Sequence, residues 1–104
     1  MKLLTKEIEK RLSKPYGTEN ETDPIAQVKF FTPDSNWTWY ATEFDGLDTF
    51  FGLVDGFEME LGYFSKSELE GIRGPLGLRI ERDLHFKPTR VSELKNPSSG
   101  ETKY

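Results

Sequence analysis

Three features of the sequence predict an α+β domain, a four-stranded antiparallel meander flanked by short helices. The central stretch, residues 30–65, contains both tryptophans and most of the aromatic residues of the chain. Turn-forming residues divide it into short apolar runs, which is the pattern of strands joined by tight connections. Short segments with helix-capping residues lie before and after it. At 104 residues, the chain has the length of one domain with a modest core.

The N-terminal segment predicts a short helix over residues 5–13. The Thr5 hydroxyl can cap its first turn, and apolar residues recur every four positions, at Leu4, Ile8 and Leu12. These residues form one narrow apolar stripe on an otherwise charged segment. A helix this short is unstable alone, so we expect it to pack against the sheet.

Four runs rich in aromatic and β-branched residues predict the strands of the meander. They are residues 25–31, 37–44, 49–54 and 57–64. Side chains alternate between the two faces of a strand. In the second run, one face receives Trp37, Trp39, Ala41 and Glu43, and the other receives Thr38, Tyr40, Thr42 and Phe44. In the fourth run, the residues expected to face the core are Phe57, Met59, Leu61 and Tyr63, whereas Glu58 and Glu60 face water.

The connections follow from turn chemistry. Residues 45–48 (DGLD) predict a turn, and Asp55-Gly56 between two apolar runs is typical of a tight two-residue hairpin. Gly52, inside the third run, indicates a bulge or room for a ring from a neighbouring strand. The polar segment 15–24 has a proline at each end and predicts a connecting loop.

The C-terminal third predicts smaller elements. Residues 65–68 (SKSE) form a capping box, which predicts the start of a short helix. The run 78–84 alternates as an edge strand protected by charges, and residues 91–94 predict one helical turn. The chain is thus expected to be one domain, residues 1–94, followed by a flexible polar tail, residues 95–104.

Charge is distributed unevenly along the chain. The net charge is −4, and the central stretch 30–65 contains seven acidic residues but no lysine or arginine. A general nucleic-acid binder usually needs a basic stripe, so this stretch favours a protein partner with a basic surface instead. A solvated outer face of the sheet is the simpler explanation of the same acids.

The sequence predicts an interaction surface on this acidic, aromatic sheet. We expect Trp39 or Tyr40 to pack in the core, whereas Trp37 lies beside a loop and is the best candidate for an exposed anchor. The predicted surface comprises Asp34, Trp37, Glu43, Asp45, Asp48, Asp55, Glu58 and Glu60.

A nucleic-acid accessory module is the alternative function. Trp37 and Trp39 could stack on the bases of a single strand, provided that cationic residues fold over the same face. Those residues would come from the C-terminal third, namely Arg73, Arg79, Arg82, Lys87 and Arg90.

Several chemistries are excluded or disfavoured by composition. The chain has no cysteine, and its single histidine, His85, lies in a proline-bounded segment without a recognisable catalytic partner. The glycine-rich residues 74–77 lack the lysine and the context of a phosphate-binding loop. We therefore assign no catalytic, cofactor-binding or metal-binding residue, although paired carboxylates keep enzymatic hydrolysis as a third hypothesis. No apolar run approaches the length of a membrane span, and a cytoplasmic protein is expected.

Longer motifs resemble a known family. They are residues 29–40 (KFFTPDSNWTWY), 43–46 (EFDG), 51–54 (FGLV), 60–65 (ELGYFS) and 73–83 (RGPLGLRIERD). The chain resembles a small bacterial domain of unknown function that is carried on plasmids, integrative elements and phages. The resemblance implies a role in transfer, replication control or counter-defence, for example against a host nuclease or restriction complex. It transfers no catalytic or binding residue.

Overall fold

The structure is a computed structural model that describes residues 2–17 and 22–96. It confirms the α+β class. The elements are α1 Lys6–Arg11, β1 Ile25–Ala26, β2 Val28–Phe31, β3 Thr38–Phe44, β4 Thr49–Asp55, β5 Met59–Ser65, α2 Lys66–Gly71, β6 Glu81–Arg82, β7 Thr89–Arg90 and α3 Val91–Lys95. Of the predicted tail, only residues 95 and 96 fall in the described part of the chain, and residues 97–104 lie outside it.

The main sheet has five antiparallel strands in the order β5-β4-β3-β2-β6, so the predicted four-stranded meander was one strand short. The meander itself, β2 to β5, is present, and β6 adds to the outer side of β2. The edge strand predicted over residues 78–84 is present as β6, which has only two residues. The predicted first strand, 25–31, is interrupted at Gln27, and its β1 part pairs with β7 in a separate two-stranded sheet.

A β-bulge in β3 breaks the predicted alternation. The register with β4 shifts between Ala41 and Glu43, and after the shift Phe44 pairs with Phe50 on the core side. Phe44 therefore shares a face with Trp39 and Ala41, contrary to the sequence prediction, since one extra residue reverses the side-chain order.

The core lies between the sheet and helices α1 and α2. Phe50 is fully buried at its centre, with ring centroids 5.4 Å from Phe30, 4.7 Å from Phe44 and 5.3 Å from Phe64. Leu69 of α2 and Leu12, which ends α1, are buried in the same cluster. The predicted apolar stripe of α1 is confirmed in this packing, because Leu4 and Ile8 also contact the cluster.

Both predicted helix caps are confirmed. The Thr5 hydroxyl accepts a hydrogen bond from the Ile8 amide at 3.2 Å. The Ser65 hydroxyl accepts one from the Glu68 amide at 3.0 Å and donates one to the Glu68 carboxylate at 2.9 Å. The capping box thus fixes the point at which β5 turns into α2.

The prediction for the inner face of the fourth strand was wrong. Phe57 lies outside the strand and is 95% exposed, while Leu61 and Tyr63 are 46% and 65% exposed. The buried residue is Phe64, which pairs with Phe50 on the face that the helices cover. Alternation shows which residues share a face, but the position of the helices decides which face becomes the core.

The β4–β5 connection also differs from the prediction. Asp55 remains in the strand and pairs with Met59, so the loop has three residues, Gly56, Phe57 and Glu58, instead of two. Gly56 does not adopt a positive φ, whereas Gly46 in the preceding turn does, at 84°. Gly56 is needed for another reason, which lies in its packing against a tryptophan.

Candidate functional site

Three aromatic side chains meet at one end of the sheet, where the β2–β3 and β4–β5 connections lie side by side. The rings of Trp37 and Trp39 stack with centroids 5.9 Å apart and an interplanar angle of 29°. The ring of Phe57 meets Trp37 edge-on, at 5.1 Å and 82°. We call Trp37, Trp39 and Phe57 the aromatic tip. Exposure increases along it, from Trp39 at 6% through half-buried Trp37 to Phe57 at 95%.

The β2–β3 loop holds Trp37 in place. The Thr32 amide donates to the Trp37 carbonyl at 3.0 Å, and the Trp37 amide donates to the Thr32 hydroxyl at 3.2 Å. The Ser35 hydroxyl is hydrogen-bonded to the same Thr32 oxygen, and Thr32 is only 5% exposed. The loop is therefore closed by its own polar side chains, as expected for a Pro-Asp-Ser-Asn turn.

Gly56 allows the two connections to touch. A Cβ atom at this position would lie 2.6 Å from Cε3 of Trp37 and overlap the neighbouring ring atoms. The indole therefore packs directly on the backbone of the β4–β5 loop. This contact carries Phe57 out beyond Trp37, so that the last ring of the tip projects into solvent.

Three acidic residues lie at the same end of the sheet as the aromatic tip. Asp55 ends β4 and pairs across the sheet with Thr38, and it is half-buried. Glu58 in the loop and Glu60 in β5 are exposed. We call Asp55, Glu58 and Glu60 the acidic rim. Four members of the predicted surface, these three acids and Trp37, are thus brought to the same end of the molecule.

Asp45 and Asp48 lie at the opposite end of the sheet and organise local structure. The Asp45 carboxylate accepts hydrogen bonds from the amides of Leu47, Asp48 and Thr49 at 2.8–3.0 Å, which closes the predicted β3–β4 turn. The Asp48 carboxylate accepts from the Ser67 amide at 2.9 Å and the Ser67 hydroxyl at 2.6 Å, and so caps α2.

Asp34 and Glu43 are also committed to intramolecular contacts. Asp34 Oδ2 accepts hydrogen bonds from the amides of Leu76 and Leu78 at 2.8 and 3.4 Å. A Cβ on Gly74 would overlap the same carboxylate, so Asp34 sits directly against the backbone of this turn. Glu43 is 6% exposed, and its Oε1 accepts the Tyr16 amide at 2.9 Å. These two acids fasten distant segments to the sheet.

The hydrogen bonds to Asp45 make stability depend on acid pH. Hydrogen bonds from three backbone amides hold the pKa of the Asp45 carboxyl below its usual value, and the bond from Leu47 has the largest effect. A lowered folded-state pKa contributes stability that is present above the unfolded-state pKa and is lost as the pH falls through the folded-state value. This contribution should therefore disappear progressively below about pH 4.

We expect Asp45→Asn to remove part of the acid dependence of unfolding, because the amide keeps an acceptor oxygen but does not titrate there. Urea unfolding measured from about pH 2 to 7 should show a smaller loss of stability on acidification than in the unaltered chain. The matched control is Glu58→Gln, which makes the same kind of change at an exposed acid in the β4–β5 loop. An acid dependence identical in all three proteins would contradict the prediction.

A groove of about 390 Å³ lies beside the aromatic tip, and its walls include Trp37, Trp39, Ile72, Arg73 and Pro75. Of the basic residues in the nucleic-acid alternative, only Arg73 lines this groove. Its guanidinium donates to the carbonyls of Glu70 and Ile72 at 3.1 and 3.0 Å, and thereby ends α2. Two other bases are anchored elsewhere, since Arg82 donates to the Lys2 carbonyl and Arg90 to the Asp23 carbonyl.

Sites of other kinds do not emerge from the described residues. Within residues 2–17 and 22–96, no three acidic, histidine or cysteine side chains are grouped as metal ligands.

Tyr40 has a raised pKa, chiefly because it is buried and further because the carboxylates of Asp55 and Asp83 are nearby. It therefore stays protonated at neutral pH. No helix in the same ranges has the length and apolar character needed to cross a bilayer.

Sequence reasoning missed Phe57 as a surface residue, although its place directly after Asp55-Gly56 was a usable signal.

Comparison with curated proteins and with solved structures gave no match. A family model described as "Protein of unknown function (DUF2958)" matches residues 3–95, which confirms the resemblance to a domain of unknown function. Because this match spans nearly the whole chain, the protein belongs to the DUF2958 family.

Proposed function

We propose that this chain is a non-enzymatic accessory protein of mobile elements that docks its aromatic tip and acidic rim onto a basic protein surface. The observation that carries the proposal is the 95% exposure of Phe57, at the end of the sheet that also holds the three acids of the rim. A large aromatic ring in water loses the favourable free energy of burial, and among the described aromatic residues the Phe57 ring meets only Trp37, edge-on. A partner's pocket would supply that burial.

The geometry of the tip favours a protein partner. Aromatic side chains dominate the binding energy of protein interfaces when they are rigidly held and enter a pocket. Here Trp37 is fixed by the Thr32 hydrogen bonds and by its contact with Gly56, so Phe57 has a preorganised support. Less conformational freedom is then lost on binding.

The acidic rim specifies the charge of the partner. Asp55, Glu58 and Glu60 lie at the same end of the sheet as the exposed ring, and charges at an interface rim act mainly on the association rate and on specificity. A partner with lysine or arginine around an apolar pocket complements this arrangement. The interaction should therefore weaken with added salt, since exposed charges are screened over about 10 Å at 0.1 M.

The accessory role rests on the resemblance to domains carried by plasmids, integrative elements and phages. Mobile elements meet host nucleases and restriction complexes, and proteins of this kind present basic surfaces to nucleic acid. An acidic domain with an aromatic anchor suits such a surface, which makes counter-defence the process we favour.

We expect a photoreactive benzoylphenylalanine at position 57 to crosslink one discrete partner protein in host cells. The matched control places the same residue at Leu47, which is 82% exposed in the turn at the opposite end of the sheet. With the purified partner, Phe57→Ala should weaken binding about tenfold or more, as for other aromatic anchors. Glu58→Gln with Glu60→Gln should slow association and reduce its salt dependence.

Two results would contradict this function. Equal labelling from positions 57 and 47 would show that the tip is not a specific docking site. Loss of the crosslinked species on nuclease treatment would support the alternative, a nucleic-acid accessory module that uses Trp37 and Arg73 beside the groove. Circular dichroism should show that Phe57→Ala leaves the fold intact, because the side chain is almost fully exposed.

A further inference from the structure

The groove beside the aromatic tip combines apolar walls with aromatic rings that are already in place. Its volume of about 390 Å³ lies within the range of ligand pockets, roughly 300–1,000 Å³. The stacked rings of Trp37 and Trp39 form part of its walls, and Ile72 and Pro75 contribute apolar surface from the segment that follows α2. A ligand of this groove must therefore present apolar surface of its own.

The indole N–H groups of both tryptophans are available to such a ligand. Neither of them donates a hydrogen bond within residues 2–17 and 22–96. In the same ranges, Asp34 Oδ1 is the one fully buried side-chain oxygen or nitrogen without a hydrogen-bond partner, so both indole nitrogens reach solvent. Trp39 lines the groove and is only 6% exposed, so the small accessible part of its side chain includes a hydrogen-bond donor.

Trp37 is fixed by the edge of its indole that does not carry the N–H. The benzene edge, formed by Cε3, Cζ3 and Cη2, packs on the backbone of Gly56. The N–H belongs to the five-membered ring and takes no part in this contact. The hydrogen bonds with Thr32 hold the backbone of the same residue. The donor is thus held in place before a ligand arrives, which reduces the conformational freedom lost on binding.

These features fit a ligand in the polyproline II conformation better than a helix or a strand. A polyproline II segment has no internal hydrogen bonds, so its carbonyls can accept the indole protons. The carbonyls of an α-helix, apart from those of its last turn, bond within the helix. An added strand needs the free backbone groups of a sheet edge, and Trp39 lies in β3, the central strand. Proline-rich segments dock in aromatic-lined grooves of this kind.

Charge complementarity indicates a basic residue next to the prolines. Trp39 pairs with Val54 of β4, and Val54 pairs with Glu60 of β5. Residues that pair directly across a sheet project their side chains on the same face, so exposed Glu60 lies on the face that carries Trp39. Arg73 also lines the groove, but its guanidinium donates to two carbonyls at the end of α2, which offset its charge. A lysine or arginine of the ligand therefore finds a carboxylate on this face.

We propose that this groove binds a proline-rich segment of the partner protein in the polyproline II conformation, with a lysine or arginine beside its prolines. The rings of Trp37 and Trp39 contact the prolines, their N–H groups donate to carbonyls of the segment, and Glu60 attracts its cation. The inference deepens the proposed docking function and rests on it, because the groove and the aromatic tip share both tryptophans.

Titration of the full chain with a peptide of about six prolines and an arginine at each end, two turns of polyproline II, tests the groove. The chain contains two tryptophans, so the two indole N–H signals of a nitrogen–proton correlation NMR spectrum report on it directly. We expect both signals to shift saturably with this peptide. A peptide with alanines in place of the prolines should bind about tenfold more weakly or worse, because its polyproline II conformation is not preformed.

Two substitutions separate the contributions to binding. Trp37→Phe keeps an aromatic ring but removes its N–H, and it should weaken binding about three- to tenfold, as for the loss of one hydrogen bond. Glu60→Gln should weaken binding of the arginine peptide about two- to fivefold, the range for an exposed ion pair, and leave binding of a peptide of prolines alone unchanged. The matched control is Glu81→Gln, at an exposed acid of β6 on the opposite edge of the sheet.

Three outcomes would overturn the inference. They are indole signals that the proline peptide does not move, equal binding of the alanine peptide, and Trp37→Phe or Glu60→Gln variants that bind as tightly as the Glu81→Gln control. Indole signals that move only with a single-stranded oligothymidine belong to the first outcome and would favour the nucleic-acid alternative.

The test stays decisive if one variant does not fold. Circular dichroism verifies the fold of each variant, and Glu60 is exposed, so its substitution leaves the core untouched. Crosslinking from position 57 reports on the aromatic tip, whereas this titration reports on the groove and needs no partner protein. A peptide that fails to bind while position 57 still crosslinks a partner would end this inference and leave the docking function standing.

Discussion

Phe50→Ala is expected to lower the free energy of unfolding by about 3–5 kcal/mol, the range for aromatic side chains removed from a core. Phe50 is fully buried and its ring contacts those of Phe30, Phe44 and Phe64. Truncation leaves a cavity among three other rings, which are held by different strands and cannot collapse together. Urea denaturation followed by tryptophan fluorescence and circular dichroism would measure the loss.

The matched control is Phe51→Ala, the next residue in the same strand. Phe51 faces the opposite side of the sheet, is half-buried, and stacks edge-on with exposed Tyr63. Its truncation should cost less than half as much as that of Phe50, since water can reach the vacated space. Equal losses at the two positions would show that Phe51 is packed as tightly as Phe50, and would contradict its half-buried position.

Local signals in the sequence predicted the elements of this fold well. The Thr5 cap, the Ser65–Glu68 capping box and the turn at residues 45–48 depend on neighbouring residues, and each is present. The edge strand predicted over residues 78–84 is much shorter in the structure, because β6 pairs with β2 through only two residues, Glu81 and Arg82. Pairing between distant segments leaves little trace in a strand that short.

The acidic residues show where sequence reasoning stops. Their number in the central stretch indicated an interaction surface, yet Asp34, Glu43, Asp45 and Asp48 bond to backbone amides of the protein itself. A carboxylate that caps a turn and one that faces a partner look the same in a sequence. Only the first has a precise geometric requirement, and that requirement comes from the folded chain.

Distant carboxylates cap two helices in the same way. Asp48 bonds to the amide and hydroxyl of Ser67 in α2, and Asp23 bonds to those of Ser92 in α3, at 2.9 and 2.6 Å in each case. The Ser92 bonds lower the pKa of Asp23, with Arg90 contributing further. In both helices, an acid from another segment satisfies orphan amides of the first turn. The acids thus join helices to loops, which a helix-by-helix analysis of sequence does not detect.

Glycines have different roles at different positions of this fold. At Gly56 the Trp37 side chain packs directly on the backbone, and at Gly74 the Asp34 side chain does so. These contacts fix the loops from which the aromatic tip and the neighbouring groove are built. Gly62, in contrast, has open space where a Cβ atom would lie.

Gly52→Ala should destabilise the protein by about 3 kcal/mol or more, at the upper end of the cost of overpacking. Gly52 pairs with Ala41 at the β3 bulge, and a Cβ atom there would lie 2.8 Å from the Tyr40 carbonyl carbon and overlap its oxygen. The obstructing atoms belong to the backbone of a central strand, so no side-chain rotation relieves the overlap. The bulge would have to move, and with it the register that places Phe44 in the core.

The control for this substitution is its direct partner across the ladder, because Gly52 pairs with Gly62. Gly62→Ala should be neutral or stabilising by about 0.5–1 kcal/mol, as expected when alanine replaces a glycine within a strand. Both variants are compared by urea denaturation at the same protein concentration. Similar stabilities would mean that β3 can shift away from β4 at little cost. A large difference between two glycines in one pair would show that the close approach at the bulge, not glycine content, fixes the centre of this sheet.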